Sequence, residues 1–304
     1  MGQITFPEKF DIINNEPLSK HSSFKIGGNA KFAAFPKTRE EFCSLIGFLT
    51  DNNERYIIIG NGSNVLFDDL GYDGTVIFTK NLNDTEYIHS EAGICIRVGC
   101  GKLISELALD VGKRHSLSGL EFAYGIPGSL GGAVFMNAGA YGHQISDVLI
   151  SSECFDTNTK SITLINSDEH LFSYRKSIFQ EKRNLIVLSS TLRLKVGSRE
   201  DICTVMDKYL QSRIDKQPLE YPSAGSVFKR PGEQIFAGKL IEDAGLKGFC
   251  VNDAAVSEKH AGFIINRGSA TATDVLELIN KIKQKVLSSF GINLECEIIY
   301  IPYK

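Results

Sequence analysis

Residues 125–142 read GIPGSLGGAVFMNAGAYG, and this glycine-rich stretch decides how the rest of the chain is interpreted. Glycine adopts positive φ angles and lets the backbone approach a ligand closely. Successive backbone N–H groups in such a loop can form a concave site for an anion. A plain tight turn needs fewer glycines than residues 125–132 contain, so the sequence favours a ligand-binding loop over residues 125–132.

A second glycine loop lies earlier in the chain. It reads Gly60-Asn61-Gly62-Ser63-Asn64 and follows a β-branched run at residues 56–59. Neither loop has the spacing of the G-x-G-x-x-G dinucleotide motif or of the P-loop. Glycine turns after strands are common, so for this loop a diphosphate site and an ordinary tight turn both remain open.

The segments around these loops alternate between strand-like and helix-like patterns. Runs of β-branched and other apolar residues predict strands at residues 56–59, 75–78, 94–98, 148–150, 162–165, 185–188, 192–196, 262–266 and 294–301. Helical spacing of apolar residues predicts helices at 39–50, 103–111, 200–215, 236–244 and 273–290. The pattern changes after Gly197, which predicts a domain boundary near residue 198.

Composition excludes several classes of protein. The 304 residues carry a net charge of −3, which gives no general attraction for nucleic acid or an anionic membrane. The seven cysteines have no C-x-x-C pair and the six histidines have no metal-ligand spacing, so we expect reduced thiols and no metal site. The N-terminal residues lack the pattern of a signal peptide, and no apolar run is long enough to span a bilayer. These features predict a cytoplasmic protein without an obligate protein partner.

Eight stretches of the chain resemble, in the same order, the UDP-N-acetylenolpyruvoylglucosamine reductases of bacterial cell-wall synthesis. The stretches are SSFKIGGNAKF (22–32), GNGSNVLFDD (60–69), GLEFAYGIPGSLGGAVFMNAGAYG (119–142), YRKSIF (174–179), SAGSVFKRP (223–231), AGKLIEDAGLKG (237–248), VSEKHAGFIIN (256–266) and LECEI (294–298). The linker between residues 175 and 226 is short, which resembles the subtype that lacks an extra substrate-covering loop. One such stretch alone would be weak evidence for the family, but eight stretches in the family's order are specific to it.

The resemblance implies an α+β fold. It implies an FAD-binding domain at residues 1–197 with the fold of the vanillyl-alcohol-oxidase type, divided into subdomains of about 1–80 and 81–197. A smaller α+β substrate domain then covers residues 198–304, and its last strand either stays there or returns to the FAD-binding domain.

The resemblance also implies non-covalent FAD, with NADPH as the reductant. The first glycine loop has no histidine that could form a covalent bond to a flavin. Both glycine loops would hold the FAD diphosphate. The residues expected to bind the cofactor are Gly60, Asn61, Gly62, Ser63, Asn64, Gly125, Ile126, Pro127, Gly128, Ser129, Gly131, Gly132, Asn137, Ala138 and Gly139.

The reaction implied is the reduction of UDP-N-acetylglucosamine enolpyruvate to UDP-N-acetylmuramate. Hydride addition to the methylene carbon places negative charge on the neighbouring carbon and its carboxylate, which requires a fixed cation or hydrogen-bond donor and a positioned acid. Arg175, Ser226 and Glu297 match the family's catalytic arginine, proton donor and glutamate. Judged alone, Arg175 could form a surface ion pair and Ser226 could be a turn serine. Glu295 shares the strand parity of Glu297, and only the family's motif favours Glu297.

Four residues are candidates for substrate binding: Tyr174, Lys216, Lys229 and Arg230. The three cations suit a diphosphate or a carboxylate, although each could equally belong to a solvated basic face. Tyrosine at such a position also commonly serves packing.

Two departures and two rival functions remain. Asn252-Asp253 stand where the family commonly has small residues, and the chain after Ile298 lacks the arginine that commonly follows the catalytic glutamate. A flavin oxidase of the same fold, acting on a sugar or lactone, would need a histidine bonded covalently to the flavin, or would lack the set formed by Arg175, Ser226 and Glu297. A nucleotide-sugar binding protein would bind the UDP-sugar without oxidising NADPH. The presence of all three residues disfavours both rivals.

Overall fold

The computed structural model describes residues 4–90 and 93–304. The chain divides into two compact units. Unit 1 comprises the described residues up to Asn14, together with Phe32–Asn61 and Gly74–Gln211. Unit 2 comprises Asn15–Lys31, Gly62–Asp73 and Ser212–Lys304. The chain thus enters unit 2 three times, whereas the sequence places one boundary near residue 198; that simpler division stays a prediction.

The strands of the described residues are β1 (Ile12–Pro17), β2 (Asn29–Ala34), β3 (Tyr56–Ile59), β4 (Val65–Phe67), β5 (Tyr72–Phe78), β6 (Thr85–Ser90), β7 (Gly93–Gly99), β8 (Leu117–Ser118), β9 (Gly139–Ala140), β10 (His143–Gln144), β11 (Leu149–Asp156), β12 (Ser161–Asn166), β13 (Leu185–Val196), β14 (Ser223–Ser226), β15 (Cys250–Val251), β16 (Ala254–Val256), β17 (Phe263–Asn266) and β18 (Ile299–Ile301). The α-helices are α1 (Arg39–Asp51), α2 (Ile104–Leu109), α3 (Leu130–Met136), α4 (Arg199–Lys216), α5 (Ala237–Asp243) and α6 (Ala272–Phe290).

Unit 1 is built around an antiparallel sheet in the order β12-β11-β13-β7-β6, with β8 paired to the end of β13. Strand β3 pairs in parallel with β5, so that both strands end at the same edge. Helix α1 starts at Thr38, whose side chain accepts a hydrogen bond from the N–H of Glu41. Its predicted apolar face is confirmed, because the buried residues of α1 are Phe42, Leu45, Ile46 and Leu49.

Unit 2 has an antiparallel sheet in the order β14-β17-β16-β15. Helix α6 packs on it through an apolar stripe that includes Val275, Leu278 and Ile282, all fully buried. A capping box between Thr271 and Asp274 begins this helix, and Gly291 in the left-handed conformation ends it. A separate parallel pair joins β4 to β18.

One helix was not predicted, and one predicted strand is wrong in its extent. The glycine-rich stretch at 125–142 contains the short helix α3, which begins at the N-cap Ser129 and ends at Asn137 in the left-handed conformation. The predicted strand at 294–301 is regular only over β18. Residues before Ile299 pair on one side with the segment after β14, whereas β18 pairs with β4, and this change of partner interrupts the strand.

Candidate active site

Gly60 and Asn61, which begin the first glycine loop, meet the second glycine loop inside unit 1. The side-chain amide of Asn61 donates to the carbonyl oxygen of Pro127 over 2.6 Å. A Cβ atom on Gly60 would lie 2.0 Å from the Oγ atom of Ser129, so a larger residue would displace the hydroxyl that caps α3. Gly60 and Asn61 are therefore held against the loop at 125–132 by contacts that these two residues themselves provide.

Both loops contain backbone N–H groups without an acceptor. Among the described residues, no hydrogen bond is made by the backbone N–H of Asn61, Gly62, Ser63 or Asn64. The N–H groups of Gly128 and Ser129 are also unbonded within the same part of the chain, and Ser129 is only 2% exposed. A buried N–H group without an acceptor, as at Gly62 and Ser129, raises the free energy of the folded protein. The oxygens of a dinucleotide diphosphate would supply such acceptors.

Asn137, which the resemblance assigns to cofactor binding, uses its side chain for hydrogen bonds within unit 1. Its side-chain nitrogen donates to Gln144 Oε1 and to the carbonyl oxygen of Ser173, each over 3.1 Å. Its side-chain oxygen accepts from the N–H of Ser146 over 3.1 Å. The side chain is nearly fully buried, and the backbone has a positive φ of 44°. These contacts identify Asn137 as a support for the turn that follows Ser173.

That turn carries Arg175. Ser173 and Lys176 exchange two backbone hydrogen bonds of 3.1 Å, which makes Tyr174 and Arg175 the two central residues. Arg175 has a φ of 56°, a left-handed conformation that is uncommon for a residue with a side chain. Its Nη2 atom donates to the carbonyl oxygen of Gly139 over 3.2 Å, and its guanidinium lies 5.0 Å from the centre of the Tyr174 ring. Strained conformations of this kind are typical of functional positions.

Ser226 ends β14 in unit 2. It pairs with Phe263 of β17, and a register shift separates this pair from the pair formed by Ser223 and Ile265. Gly225 supplies the positive φ of 77° that this irregularity requires. Ser226 itself is half-buried.

Glu297 is held by its backbone beside Ser226. Its N–H donates to the carbonyl oxygen of Val227 over 2.7 Å, and Phe228 forms an antiparallel bridge with Cys296. Its carbonyl oxygen accepts from the side chain of Asn64 over 3.1 Å. The two residues predicted to be catalytic in unit 2 thus lie on neighbouring paired segments.

Glu295, the alternative that strand parity left open, lies in a different environment. Its side chain is 73% exposed and accepts from Lys229 Nζ over 2.5 Å. The half-buried Glu297 is therefore the better placed of the two for a reaction that excludes water. The same ion pair occupies Lys229, one of the residues predicted to bind substrate.

The other three predicted substrate-binding residues lie at exposed positions. Tyr174 is in unit 1, on the Arg175 turn, and is 39% exposed. Lys216 ends α4, and Arg230 lies with its guanidinium 5.9 Å from the centre of the Phe236 ring; both belong to unit 2. Within each unit, the structure brings Arg175 to Gly139 and Ser226 to Glu297.

Sequence reasoning missed two contributions to the site. Ser23 donates its hydroxyl to the carbonyl oxygen of Ser223 over 2.7 Å, and its N–H donates to the carbonyl oxygen of Gly62 over 3.1 Å. The side chain of Asn64 is directed to Glu297. Both residues stand in stretches that carry the family resemblance, at 22–32 and 60–69, but a motif does not reveal which atom a side chain contacts.

Metal and membrane sites are not found in the described residues. No group of three or more histidine, cysteine, aspartate or glutamate side chains there could hold a metal ion. No helix within residues 4–90 and 93–304 is both long and apolar enough to cross a membrane.

Comparisons with known proteins agree with the resemblance. A model of an FAD binding domain matches residues 30–164, and a model of the UDP-N-acetylenolpyruvoylglucosamine reductase C-terminal domain matches residues 217–301. The UDP-N-acetylenolpyruvoylglucosamine reductase of Lachnoclostridium phytofermentans is 47% identical over 291 residues, which cover 95% of this chain and 93% of the relative. The reductase of the same name from Caldanaerobacter subterraneus is 47% identical over 290 residues, with 95% and 93% coverage.

The fold is shared as well. The crystal structure of UDP-N-acetylenolpyruvylglucosamine reductase from Thermus caldophilus superposes with a TM-score of 0.79 at 33% identity, covering 96% of this chain and 99% of that chain. The expected α+β fold with an FAD-binding domain is therefore confirmed. The chain belongs to the UDP-N-acetylenolpyruvoylglucosamine reductase family.

Proposed function

We propose that this chain catalyses the NADPH-dependent reduction of UDP-N-acetylglucosamine enolpyruvate to UDP-N-acetylmuramate in peptidoglycan synthesis. The chain is a flavin-dependent oxidoreductase that uses FAD. The observation that most supports the assignment of catalytic residues is the 2.7 Å hydrogen bond from the Glu297 N–H to the Val227 carbonyl oxygen, because it holds Glu297 beside Ser226.

Two loops fit the cofactor. The unbonded backbone N–H groups of residues 61–64, 128 and 129 match the need of a diphosphate for several donors. The side chains of Asn137 and Asn64 are directed to other parts of the protein, so we assign neither side chain to FAD. FAD, when bound, supplies the hydride chemistry, and the protein supplies position and electrostatic field.

Three side chains would act on the enolpyruvyl group. The Arg175 guanidinium, fixed at Gly139, would bind the carboxylate and stabilise the charge that develops there. The Ser226 hydroxyl would give its proton to the carbon next to that carboxylate. Glu297, half-buried beside Ser226, would contact the same charged group through its carboxyl.

The remaining polar residues would bind the UDP portion of the substrate. Lys216 and Arg230 present exposed cations that suit its diphosphate. Lys229 would do so only after exchanging Glu295 for the substrate, since the two form an ion pair. Tyr174 would line the same site through its exposed ring.

A stopped-flow experiment tests the function. The flavin absorbance of the purified protein is followed anaerobically while NADPH is added, and then UDP-N-acetylglucosamine enolpyruvate. We expect bleaching by NADPH and recovery that depends on the substrate. Recovery only on admission of oxygen would assign an oxidase instead, and failure to bind FAD would remove the flavin assignment.

The chain provides a matched pair that tests the catalytic glutamate. Glu297→Gln and Glu295→Gln make the same chemical change two residues apart. We expect Glu297→Gln to slow flavin reoxidation by substrate by about 10²–10³-fold. Glu295→Gln should change the rate of reoxidation by less than about threefold, because Glu295 is exposed and its partner in the ion pair is Lys229. The opposite order would assign Glu295 as the catalytic residue.

We further propose a cytoplasmic location. The seven cysteine thiols are all free. Unpaired thiols in this number suit a reducing compartment better than an oxidising one. Fractionation of cells that express the tagged protein tests this, and recovery in a membrane or secreted fraction would contradict it.

A further inference from the structure

Glu297 lies where one extended segment changes its hydrogen-bonding partner. Before it, the segment pairs with residues that follow β14: the N–H of Lys229 donates to the carbonyl oxygen of Glu295 over 2.9 Å, and the N–H of Glu297 donates to Val227. After it, β18 pairs in parallel with β4, with Ile299 opposite Val65. The Glu297 carbonyl therefore stands at the first position of the second ladder.

The parallel ladder specifies which donor belongs at that position. The N–H of Ile299 donates to the carbonyl oxygen of Asn64 over 3.0 Å, and the N–H of Asp68 donates to that of Ile301 over 3.0 Å. One step earlier, the regular pattern would place the backbone N–H of Asn64 on the carbonyl oxygen of Glu297. That hydrogen bond is not made within the described residues.

The Asn64 side chain occupies the vacant position in the ladder. Its Nδ2 atom donates to the Glu297 carbonyl oxygen over 3.1 Å. The backbone N–H of Asn64 is thereby left to continue the row of unbonded N–H groups at residues 61–63. One residue thus contributes its amide side chain to the catalytic segment and its backbone to the glycine loop.

Neighbouring contacts hold this arrangement in place. Gly62 has a φ of 62°, and a Cβ atom there would lie 2.0 Å from the carbonyl oxygen of His21. The N–H of Ser23 donates to the Gly62 carbonyl oxygen, and the Ser23 hydroxyl donates to Ser223 near the start of β14. The glycine loop and the strand that carries Ser226 therefore share a support.

We propose that Asn64 is a positioning residue for Glu297. Its side-chain amide replaces its own backbone N–H in the ladder, which fixes the Glu297 carbonyl and leaves the backbone N–H for the cofactor diphosphate. The proposal rests on the proposed function of Glu297. It separates Asn64 from Asn61, whose side chain joins the two glycine loops.

Half-reaction kinetics test the proposal. Asn64→Ala keeps the backbone N–H and removes the side-chain donor, and Asn64→Asp replaces the donor with an acceptor of the same shape. Asn64→Ala should keep the FAD Kd within about threefold of the wild-type value and slow flavin reoxidation by substrate by about 10- to 100-fold, because a small displacement of a catalytic group slows the reaction. Asn64→Asp should slow reoxidation at least as much and should also raise the FAD Kd, because its negative charge lies next to the diphosphate. Asn64→Gln retains an amide donor and should recover part of the rate.

Asn61→Ala is the matched control. It removes the other asparagine amide of the same loop, so it should raise the FAD Kd without a preferential effect on reoxidation. If Asn64→Ala gives this same result, Asn64 acts on the cofactor alone and the proposal is overturned.

A double-mutant cycle tests whether Asn64 acts through Glu297. In the Glu297→Gln background, Asn64→Ala should slow reoxidation by less than about threefold, since the group that it positions has already lost its function. An undiminished 10- to 100-fold effect would show that Asn64 acts elsewhere. Wild-type protein that shows no substrate-dependent recovery would instead contradict the proposed function.

Hydrogen exchange of the apoprotein provides a measurement independent of activity. In Asn64→Ala, the amides of residues 297–301 should exchange at least about fivefold faster than in the wild type, whereas Glu297→Gln should leave them unchanged. Unchanged exchange in Asn64→Ala would overturn the proposal whatever the kinetics show.

Discussion

Asn137 allows a quantitative prediction about the Arg175 turn. Asn137→Ala removes three hydrogen bonds: those to Gln144 and Ser173 from the side-chain nitrogen, and that from Ser146 to the side-chain oxygen. A side-chain hydrogen bond contributes about 1 kcal/mol net, which gives about 3 kcal/mol for the three. Alanine also tolerates the left-handed conformation at φ 44° poorly, which adds about 1 kcal/mol.

Asn137→Gly separates these two contributions. Glycine loses the same hydrogen bonds but adopts positive φ without strain, so its loss of unfolding free energy should be about 1 kcal/mol smaller than that of alanine. Asn137→Asp keeps the acceptor for Ser146 but places a carboxylate oxygen against the Gln144 and Ser173 oxygens in a buried site, so it should lose at least as much unfolding free energy as alanine.

Urea unfolding followed by circular dichroism measures the free energies, and stopped-flow reoxidation measures the consequence for the site. We expect the unfolding free energy to fall by about 4 kcal/mol in Asn137→Ala and by about 3 kcal/mol in Asn137→Gly. Reoxidation should be slower in both variants, because the hydrogen bond to the Ser173 carbonyl supports the Arg175 turn. A loss below about 1 kcal/mol for Asn137→Ala would refute the hydrogen-bond argument. Equal losses for alanine and glycine would refute the argument from backbone conformation.

Three further predictions concern the proton donor, the glycine loop and a buried histidine. Ser226→Ala should leave flavin reduction by NADPH near the wild-type rate and slow reoxidation by substrate by about 10²–10⁴-fold in stopped flow; equal loss in both steps would make Ser226 structural. Gly60→Ala should raise the FAD Kd at least tenfold in an equilibrium titration, because its Cβ atom would lie 2.0 Å from Ser129 Oγ. Gly47→Ala is the control: a Cβ atom there has no other atom within 4 Å, so the FAD Kd should not change. Burial lowers the pKa of His170 below its ordinary value of 6.5, and its ring nitrogens lie 2.7 Å from the Asn166 carbonyl oxygen and 2.9 Å from Ser152 Oγ. The unfolded chain then binds the proton more readily, so the stability contribution of His170 should be full above pH 6.5 and fall as pH decreases towards the folded pKa. His170→Gln should flatten this part of the urea midpoint profile, and an unchanged profile would contradict this account.

Features that depend on local patterns can be predicted from the amino-acid sequence. The buried face of α1 follows from apolar residues at helical spacing, and the start of α6 follows from Asp274 in its first turn. The family resemblance gave the α+β fold and FAD, because eight motifs in order specify a family without any knowledge of contacts. The roles of Arg175, Ser226 and Glu297 remain predictions that the kinetics above address.

Tertiary structure alone decided the features that depend on partners distant in sequence. The short helix α3 is hidden in the sequence because glycines have low helix propensity, and its caps Ser129 and Asn137 become recognisable only from their conformations. The strand predicted at 294–301 is interrupted because two different segments pair with its two halves, and periodicity cannot show a change of partner. Likewise, the sequence predicts only that Asn64 binds the cofactor with the rest of its loop. Its side chain contacts Glu297, which is 233 residues away along the chain, and only the folded chain brings the two together.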